Sequence, residues 1–519
     1  MDDLRKKPDA VATRGFNALV WAYSGTAVRV LLQIGAQIAL ARILGPEAYG
    51  AAAAAILITT VLNLLAELGL GAALVQCRAV GSGDVQVVFG STLAAALACA
   101  AVFFAVSDWI GAFFDDPRVG GVARLMAVAV VLQAVGIVPG ALLRRHLDYR
   151  SIQQAQISGY VIGFPVVGIL FAYHGFAEQS FGAAWIAQAA VTSALMWRAA
   201  AKVKRHDFAG RSQGLVSFAG TALSTNLVNW AIDNLDNFLI GRFFGTATLG
   251  SYAAGYNLVR TAANQVVLSL QQVLFPVSAR KSTETRMLVS AYVLVLWGLS
   301  LVVFPVFLGI SAASSTVVQA IFGSKWSSSA AYLVPLALAM PLHAIMSIAG
   351  PVLWGRGRPG VEFRVQLGTV VLLFLALLGG SFVSAVAMAW AVFLVYGVRA
   401  FWLTFALSRE TGTNVLGIGR AILPGAFAGG ITMIGVGLVD GYLKQCDISL
   451  MAQFASVVAT GALVSLVAVL STIRWMAGET VRAAVAAVSP SMPLRFQRML
   501  CGLMKLRIVE STAVGREAR

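Results

Sequence analysis

Apolar residues run along this chain in long blocks, not in short amphipathic stretches. Blocks of about the 20 residues that cross a bilayer fall at 18–43, 49–75, 86–107, 121–143, 152–173, 180–201 and 215–241. Further blocks follow at 250–278, 287–310, 330–354, 361–379, 382–406, 418–439 and 450–473. The pattern predicts an all-α polytopic protein with fourteen membrane-spanning helices. Its weakest break lies between the eleventh and twelfth spans, where only Gly379, Gly380 and Ser381 interrupt the run.

Polar residues inside these blocks keep helical register. In the seventh span Asn226, Asn229, Asp233 and Asn237 recur at spacings of three, four and four, with Asp236 on the shoulder of that face. Two hundred positions earlier, Thr26, Arg29, Gln33 and Gln37 repeat the layout in the first span. Both stripes run into one glycine spacing, Arg42-x-x-Gly45-x-x-x-x-Gly50 and Arg242-x-x-Gly245-x-x-x-x-Gly250. Such glycines permit tight turns at the span ends. Thr60, Asn63 and Glu67 share a face of the second span; Asn257, Arg260, Asn264 and Gln271 share one of the eighth. A fainter correspondence links Pro139-Gly140-Ala-Leu-Leu-Arg144, ending span four, to Pro351-Val-Leu-Trp-Gly-Arg356, ending span ten.

The expected organisation is therefore a tail at 1–17, an N-lobe at 18–213, a C-lobe at 214–410, a helix pair at 411–475 and a basic tail at 476–519. Polar groups stripped of water without a partner cost several kcal/mol, so the stripes must face protein or water. Internally repeated membrane proteins place their substrate site between the repeats, near mid-membrane.

With 59% hydrophobic residues, 12% charged and a mean hydropathy of +0.81, a soluble globule is excluded. The net charge of +16 points to nucleic acid only until its placement is considered. With the N-terminus in the cytoplasm, 30 of the 38 lysines and arginines fall on the cytoplasmic side. Six (Arg42, Arg118, Arg124, Arg242, Lys325 and Lys444) fall opposite, and Arg29 and Arg260 lie within spans. That split is the positive-inside pattern, with both termini cytoplasmic, and nucleic acid is not an expected partner. The first span, with an arginine at its middle, does not read as a cleavable signal peptide. RFQRMLCGLMKLR at 495–507 reads either as an interfacial helix on an anionic leaflet or as a solvated basic tail.

Cys77, Cys99, Cys446 and Cys501 lack metal-ligand spacing and form no disulfide framework. No nucleotide-binding glycine loop or Cys/His nucleophile pair stands out either, so neither an enzyme nor a cofactor is expected.

LARILGPEAYGAAAAA at 40–55, ELGLGAALVQ at 67–76 and LDNFLIGRFFGTATLGSYAAGY at 235–256 resemble the polysaccharide transporter family. That family belongs to the multidrug/oligosaccharidyl-lipid/polysaccharide (MOP) flippase superfamily, and the likeness is to exopolysaccharide exporters of the succinoglycan and colanic-acid types. The resemblance implies two six-helix lobes in a V, with helices 1, 2, 7 and 8 lining a central cavity. It implies a cargo, an oligosaccharide on undecaprenyl pyrophosphate. The cargo is flipped across the bacterial inner membrane by alternating access, for exopolysaccharide or lipopolysaccharide biosynthesis. It further implies membrane lipid, a polysaccharide polymerase and a co-polymerase as partners.

The polar stripes fall on those same four helices. Gln33, Gln37, Asn63, Asn226, Asn229, Asn257 and Asn264 suit sugar hydroxyls; Arg29 and Arg260 suit the diphosphate. Glu67 completes the set. Alternatively Arg29 pairs with Glu67, and Arg260 with Asp233. Asp233 and Asp236 are candidates for a proton or sodium site, for structural ion pairs or, for Asp236, for an interfacial position. These five ionisable residues sum to −1, unfavourable for a diphosphate. Arg144, Arg145, Arg356 and Arg358 near the cytoplasmic ends of spans four and ten could help, or serve only the positive-inside bias.

His343, between Pro341 and Pro351, is expected to bond a carbonyl freed by the proline, a role favoured over a proton relay. Asp115 and Asp116 are expected to be solvated. An acidic cavity would favour a MOP-type multidrug or cation antiporter, which a fourteen-span count disfavours. A polysaccharide polymerase or ligase would need an outer domain, and no outer loop exceeds about 20 residues.

Overall fold

Two helices of this protein are far too long for one membrane crossing, and each is broken by one glycine. The computed structural model describes residues 8–76, 80–202, 215–280, 285–355, 358–412 and 414–476. Among them every element is helical. Helix α1, Pro8–Glu67, has 60 residues, about 90 Å at 1.5 Å per residue. Gly45, at φ 78° and ψ 175°, divides it into two arms. Helix α9, Leu215–Arg280, is divided by Gly245 at φ 81° and ψ 171°. That region of backbone space is essentially open to glycine alone. The kinks lie 200 residues apart, as the repeated motif requires, and each separates a pair of expected spans.

Two compact units divide the chain inside α9, Met1–Ala254 and Gly255–Arg519. The first holds α1, α2 (Leu70–Gln76), α3 (Ser82–Ala105), α4 (Ser107–Phe113), α5 (Pro117–Arg145) and α6 (Tyr149–Val161). A π-turn at Ile162–Gly168, α7 (Ile169–Tyr173), α8 (Gln179–Ala200) and the first arm of α9 complete it. Pro165 lies within the π-turn; it brings no N–H to the helical ladder, and such turns arise where the ladder is interrupted. Helix α5 is the hub, packed against α1, α3, α4 and α8. Its buried face is mostly small: Val119, Ala123, Ala127, Val130, Ala134, Val138 and Ala141. Lipid offers no hydrophobic drive between helices, so close approach of such faces supplies the packing.

The second unit holds the second arm of α9, α10 (Thr285–Ala312), α11 (Ser314–Phe322), α12 (Ser329–Gly355) and α13 (Pro359–Ser381). Helices α14 (Ala385–Thr411), α15 (Val415–Leu443) and α16 (Leu450–Met476) follow. The break between the eleventh and twelfth blocks is real but falls at 382–384, just after the expected Gly379–Ser381, which still belong to α13. Ser384 caps α14 by accepting from Ala387 N at 3.1 Å. Gly425 and Gly429, one turn apart, let α15 lie directly on Ser300 and Phe304 of α10. A buried Asp440 pins the far end of α15, accepting from Thr316 Oγ1 of α11 at 2.6 Å and Gln453 Nε2 of α16 at 3.1 Å. Lys444 Nζ adds a third bond at 2.5 Å. The expected apolar blocks fall in helical segments, several of them divided between consecutive elements, as 49–75 is between α1 and α2. Ten helical runs among the described residues are long and apolar enough to cross a membrane.

The second glycine of each motif is not at a turn, contrary to expectation; it is where two arms touch. A Cβ on Gly50 would collide with the carbonyl oxygen of Thr246, and a Cβ on Gly250 with that of Pro46. Each added carbon would also sit 2.9 Å from the other glycine's nitrogen. The contact is reciprocal, residue for residue, across the 200-residue offset. We therefore expect Gly50→Ala and Gly250→Ala each to destabilise by about 1–3 kcal/mol through overpacking. Gly35→Ala and Gly430→Ala, whose added carbons meet nothing within 4 Å, serve as controls. Thermal melts of the purified protein check this; equal melting temperatures for all four variants would refute it.

Candidate functional site

The first arm of α1 carries its polar stripe along α6. Arg29, half-buried, donates from Nη1 to Gln156 Oε1 at 2.7 Å. It makes no ion pair with Glu67 among the described residues, so the alternative of a structural Arg29–Glu67 pair is not realised. Gln153 Nε2 donates to Thr26 Oγ1 at 3.3 Å, and Tyr160 Oη to the Gln33 carbonyl at 3.5 Å. Gln153, Gln156 and Tyr160, at spacings of three and four, thus form a complementary stripe on α6 that the sequence reading missed. Their helical spacing inside an apolar block was the available signal.

Across the Gly45 kink, Gln37 Nε2 donates to Tyr49 Oη at 2.7 Å. On the second arm Asn63 and Glu67 are half-buried, and the charge of Arg144 acts on Glu67. Thr60 accepts from Trp230 Nε1 of α9 at 2.8 Å.

The stripe of α9 grows more buried toward its kink. Asn226 is exposed and Asn229 and Asp233 are half-buried, whereas Asp236 is 1% exposed. Wherever it lies relative to the membrane surface, Asp236 is covered by protein. Its Oδ2 accepts from Tyr252 Oη at 2.5 Å, and its Oδ1 accepts from Asn237 N at 2.8 Å and Asn237 Nδ2 at 3.1 Å. Tyr252 belongs to the second arm, so a tyrosine straddles this kink as Tyr49 straddles the first.

Within the second unit, Arg260 Nη1 donates to Tyr256 Oη at 2.6 Å, with the guanidinium 5.2 Å from that ring's centroid. Asn257 is half-buried. Asn264 Oδ1 lies 3.0 Å from His343 Nε2. The expected backbone partner of His343 is thus replaced by a side chain, because α12 brings it against the polar face of α9.

Of the four arginines considered as helpers, Arg145 is committed to the end of α2, donating to Leu74 O at 3.2 Å. Arg358 lies 3.6 Å from Glu410. Arg144 is exposed. Arg356, the side chain of Gln271 and the segment 495–507 lie outside the described residues.

Near the kinks, Asp116 is not solvated as expected but buried. It caps α5 and accepts from Arg118 Nε at 2.9 Å and Thr246 Oγ1 at 2.6 Å. Arg118 also reaches Glu47 at 3.3 Å, and Arg242 reaches the exposed Asp115 at 3.1 Å. One loop thereby ties residues adjoining both kink glycines. Burial alone would raise the Asp116 carboxyl, but the bonds from Arg118 and Thr246 outweigh it, and the group is held below the ordinary carboxylate range.

Two kinked helices with polar faces, packed into an all-helical membrane body, define a polytopic membrane protein of transporter architecture. The chain belongs to the polysaccharide biosynthesis protein family, which it matches over residues 39–331. It is 25% identical to the teichuronic acid biosynthesis protein TuaB of Bacillus subtilis, over 77% of this chain and 84% of that one. It is 27% identical to the succinoglycan biosynthesis transport protein ExoT of Rhizobium meliloti, over 70% and 75%. In fold it is similar to the inward closed lipid II flippase MurJ, with a TM-score of 0.67 at 10% identity, over 86% of this chain and 98% of that one. An inward-facing MATE transporter of the MOP superfamily gives 0.56 at 14%, over 76% and 96%.

A depressed carboxyl contributes stability above its unfolded pKa and loses it as pH falls through the folded value. Replacing Asp116 by Asn should therefore lower the melting temperature at neutral pH. The gap to the wild type should close as the pH falls through and below the ordinary carboxylate range. A gap that is constant with pH would show that the Asp116 charge is not the stabilising element.

Proposed function

We propose that this protein is a flippase. It turns an undecaprenyl-pyrophosphate-linked oligosaccharide repeat unit across the bacterial inner membrane, for exopolysaccharide or lipopolysaccharide biosynthesis. The observation that carries the reading is the pair of half-buried arginines, Arg29 and Arg260, set among amides on the polar faces of two membrane helices. An arginine at such depth costs about 2.5–3.5 kcal/mol on insertion scales, a cost that a function must justify. Kinship with ExoT, named as a transport protein, and the MurJ fold support the same reading.

In this reading the guanidinium groups receive the diphosphate. Gln33, Gln37, Asn63, Asn226, Asn229 and Asn257 receive sugar hydroxyls, and Glu67 borders the path. The polyprenyl tail stays in lipid, so only the head group needs a polar route. Fourteen crossings, both termini in the cytoplasm and a polymerase with its co-polymerase downstream belong to the same proposal. A proton or sodium gradient acting at Asp233 or Asp236 drives the cycle. Asp236 already holds donors on both oxygens, so it must exchange one to take up an ion.

In a deletion host, Arg29→Ala or Arg260→Ala should abolish polymer export while the protein remains in the membrane. Wild-type export from both would remove the arginines from the cargo site. Asp233→Asn and Asp236→Asn should stop export or free it from the ion gradient. Normal gradient-dependent export in both variants would dismiss the coupling role.

A further inference from the structure

Arg260 and Asn264 sit one turn apart on α9, and both are held by side chains with no role in the transport reading above. The Tyr256 oxygen accepts from Arg260, and its hydroxyl shares a second hydrogen bond with Tyr396 Oη, 3.4 Å away, in which either phenol can donate. Tyr396 of α14 stacks on His343 of α12, with ring centroids 6.0 Å apart and 28° between planes. His343 closes the set by directing its Nε2–H at Asn264 Oδ1, 3.0 Å away.

The consequence is directional. A side-chain amide offers both an acceptor oxygen and two N–H donors. Here His343 takes one lone pair of the oxygen and fixes the amide's orientation, so Asn264 has both its donors to offer. About 6 Å along the axis, Arg260 offers donors only. A sugar hydroxyl both donates and accepts, whereas a phosphate oxygen only accepts.

We infer that Tyr256, Tyr396 and His343 are positioning residues that make Arg260 and Asn264 a pair presenting donors, selective for a polyprenyl diphosphate over an uncharged polyprenol. The inference rests on the reading that Arg260 binds the cargo's diphosphate. Tyr256 sets the guanidinium; His343 sets the amide.

The test titrates the full-length protein in lipid nanodiscs with undecaprenyl diphosphate and, as the uncharged probe, undecaprenol. Tyr256→Phe keeps the ring and removes the hydroxyl; His343→Phe keeps the stack on Tyr396 and removes the N–H. Each should weaken diphosphate binding about five- to tenfold and leave undecaprenol binding unchanged, while Arg260→Ala loses the preference altogether. If Arg260→Ala loses it but both aromatic variants keep the wild-type ratio, positioning is overturned and the diphosphate reading stands. An equal fall for both ligands would mark a packing role and overturn it too. A wild-type ratio in Arg260→Ala would overturn the diphosphate reading and the inference together.

Discussion

The structure depends on a close approach of two backbones, Gly50 to Thr246 and Gly250 to Pro46. A Cβ at either glycine would collide with backbone, which cannot move aside as the end of a flexible side chain can. The contact holds together two arms that each begin at a kink. The kinks in turn require glycine at 45 and 245, because both backbones lie where other residues are strained. Several polar contacts cluster at these points. Gln37 and Tyr49 bridge the first kink, Asp236 and Tyr252 the second, and the loop carrying Asp116 is bonded to Thr246 beside the second.

These braces explain how apolar helices carry a polar stripe without collapse. In hydrocarbon an unsatisfied amide costs several kcal/mol, so polar residues of the stripes are given partners where the helices pack. Arg29, Gln37, Asp236, Arg260 and Asn264 have protein partners in hand. The partners differ in what they leave exposed. A carboxylate bonded on both oxygens has lost most of its capacity to receive a ligand. An arginine bonded to a phenol, by contrast, presents donors only.

Much of this was legible beforehand. The fourteen apolar blocks and the R-x-x-G-x-x-x-x-G repeat mark helices and kinks because lipid forces long apolar runs, and because few residues besides glycine tolerate such a backbone. Depth was not legible. Asp116 and Asp236 lie in sequence that reads as loop and helix end, yet neighbouring elements cover both, and only tertiary packing decides that. The polar face of α6 was overlooked because two glutamines and a tyrosine in an apolar block look unremarkable until Arg29 is seen to reach one of them. For His343 the difficulty was one of partner. Proline chemistry nearby made a backbone carbonyl the obvious acceptor, and nothing in the chain revealed that Asn264, 79 residues away, would stand opposite.

The charge count that spoke against an anionic cargo takes a different meaning once burial is known. Summing five ionisable residues treats each as equally open to a ligand, which at an effective dielectric that varies with position they are not. Asp236 is enclosed, with its charge answered by three short-range donors. Removing it balances the other four. Within the first unit the charge of Arg144 also acts on Glu67, so that carboxylate does not count at its full value either. A net-charge objection read from composition thus turns into a statement about access. What a ligand could meet is decided by burial and by the partners each side chain already holds, neither of which composition records.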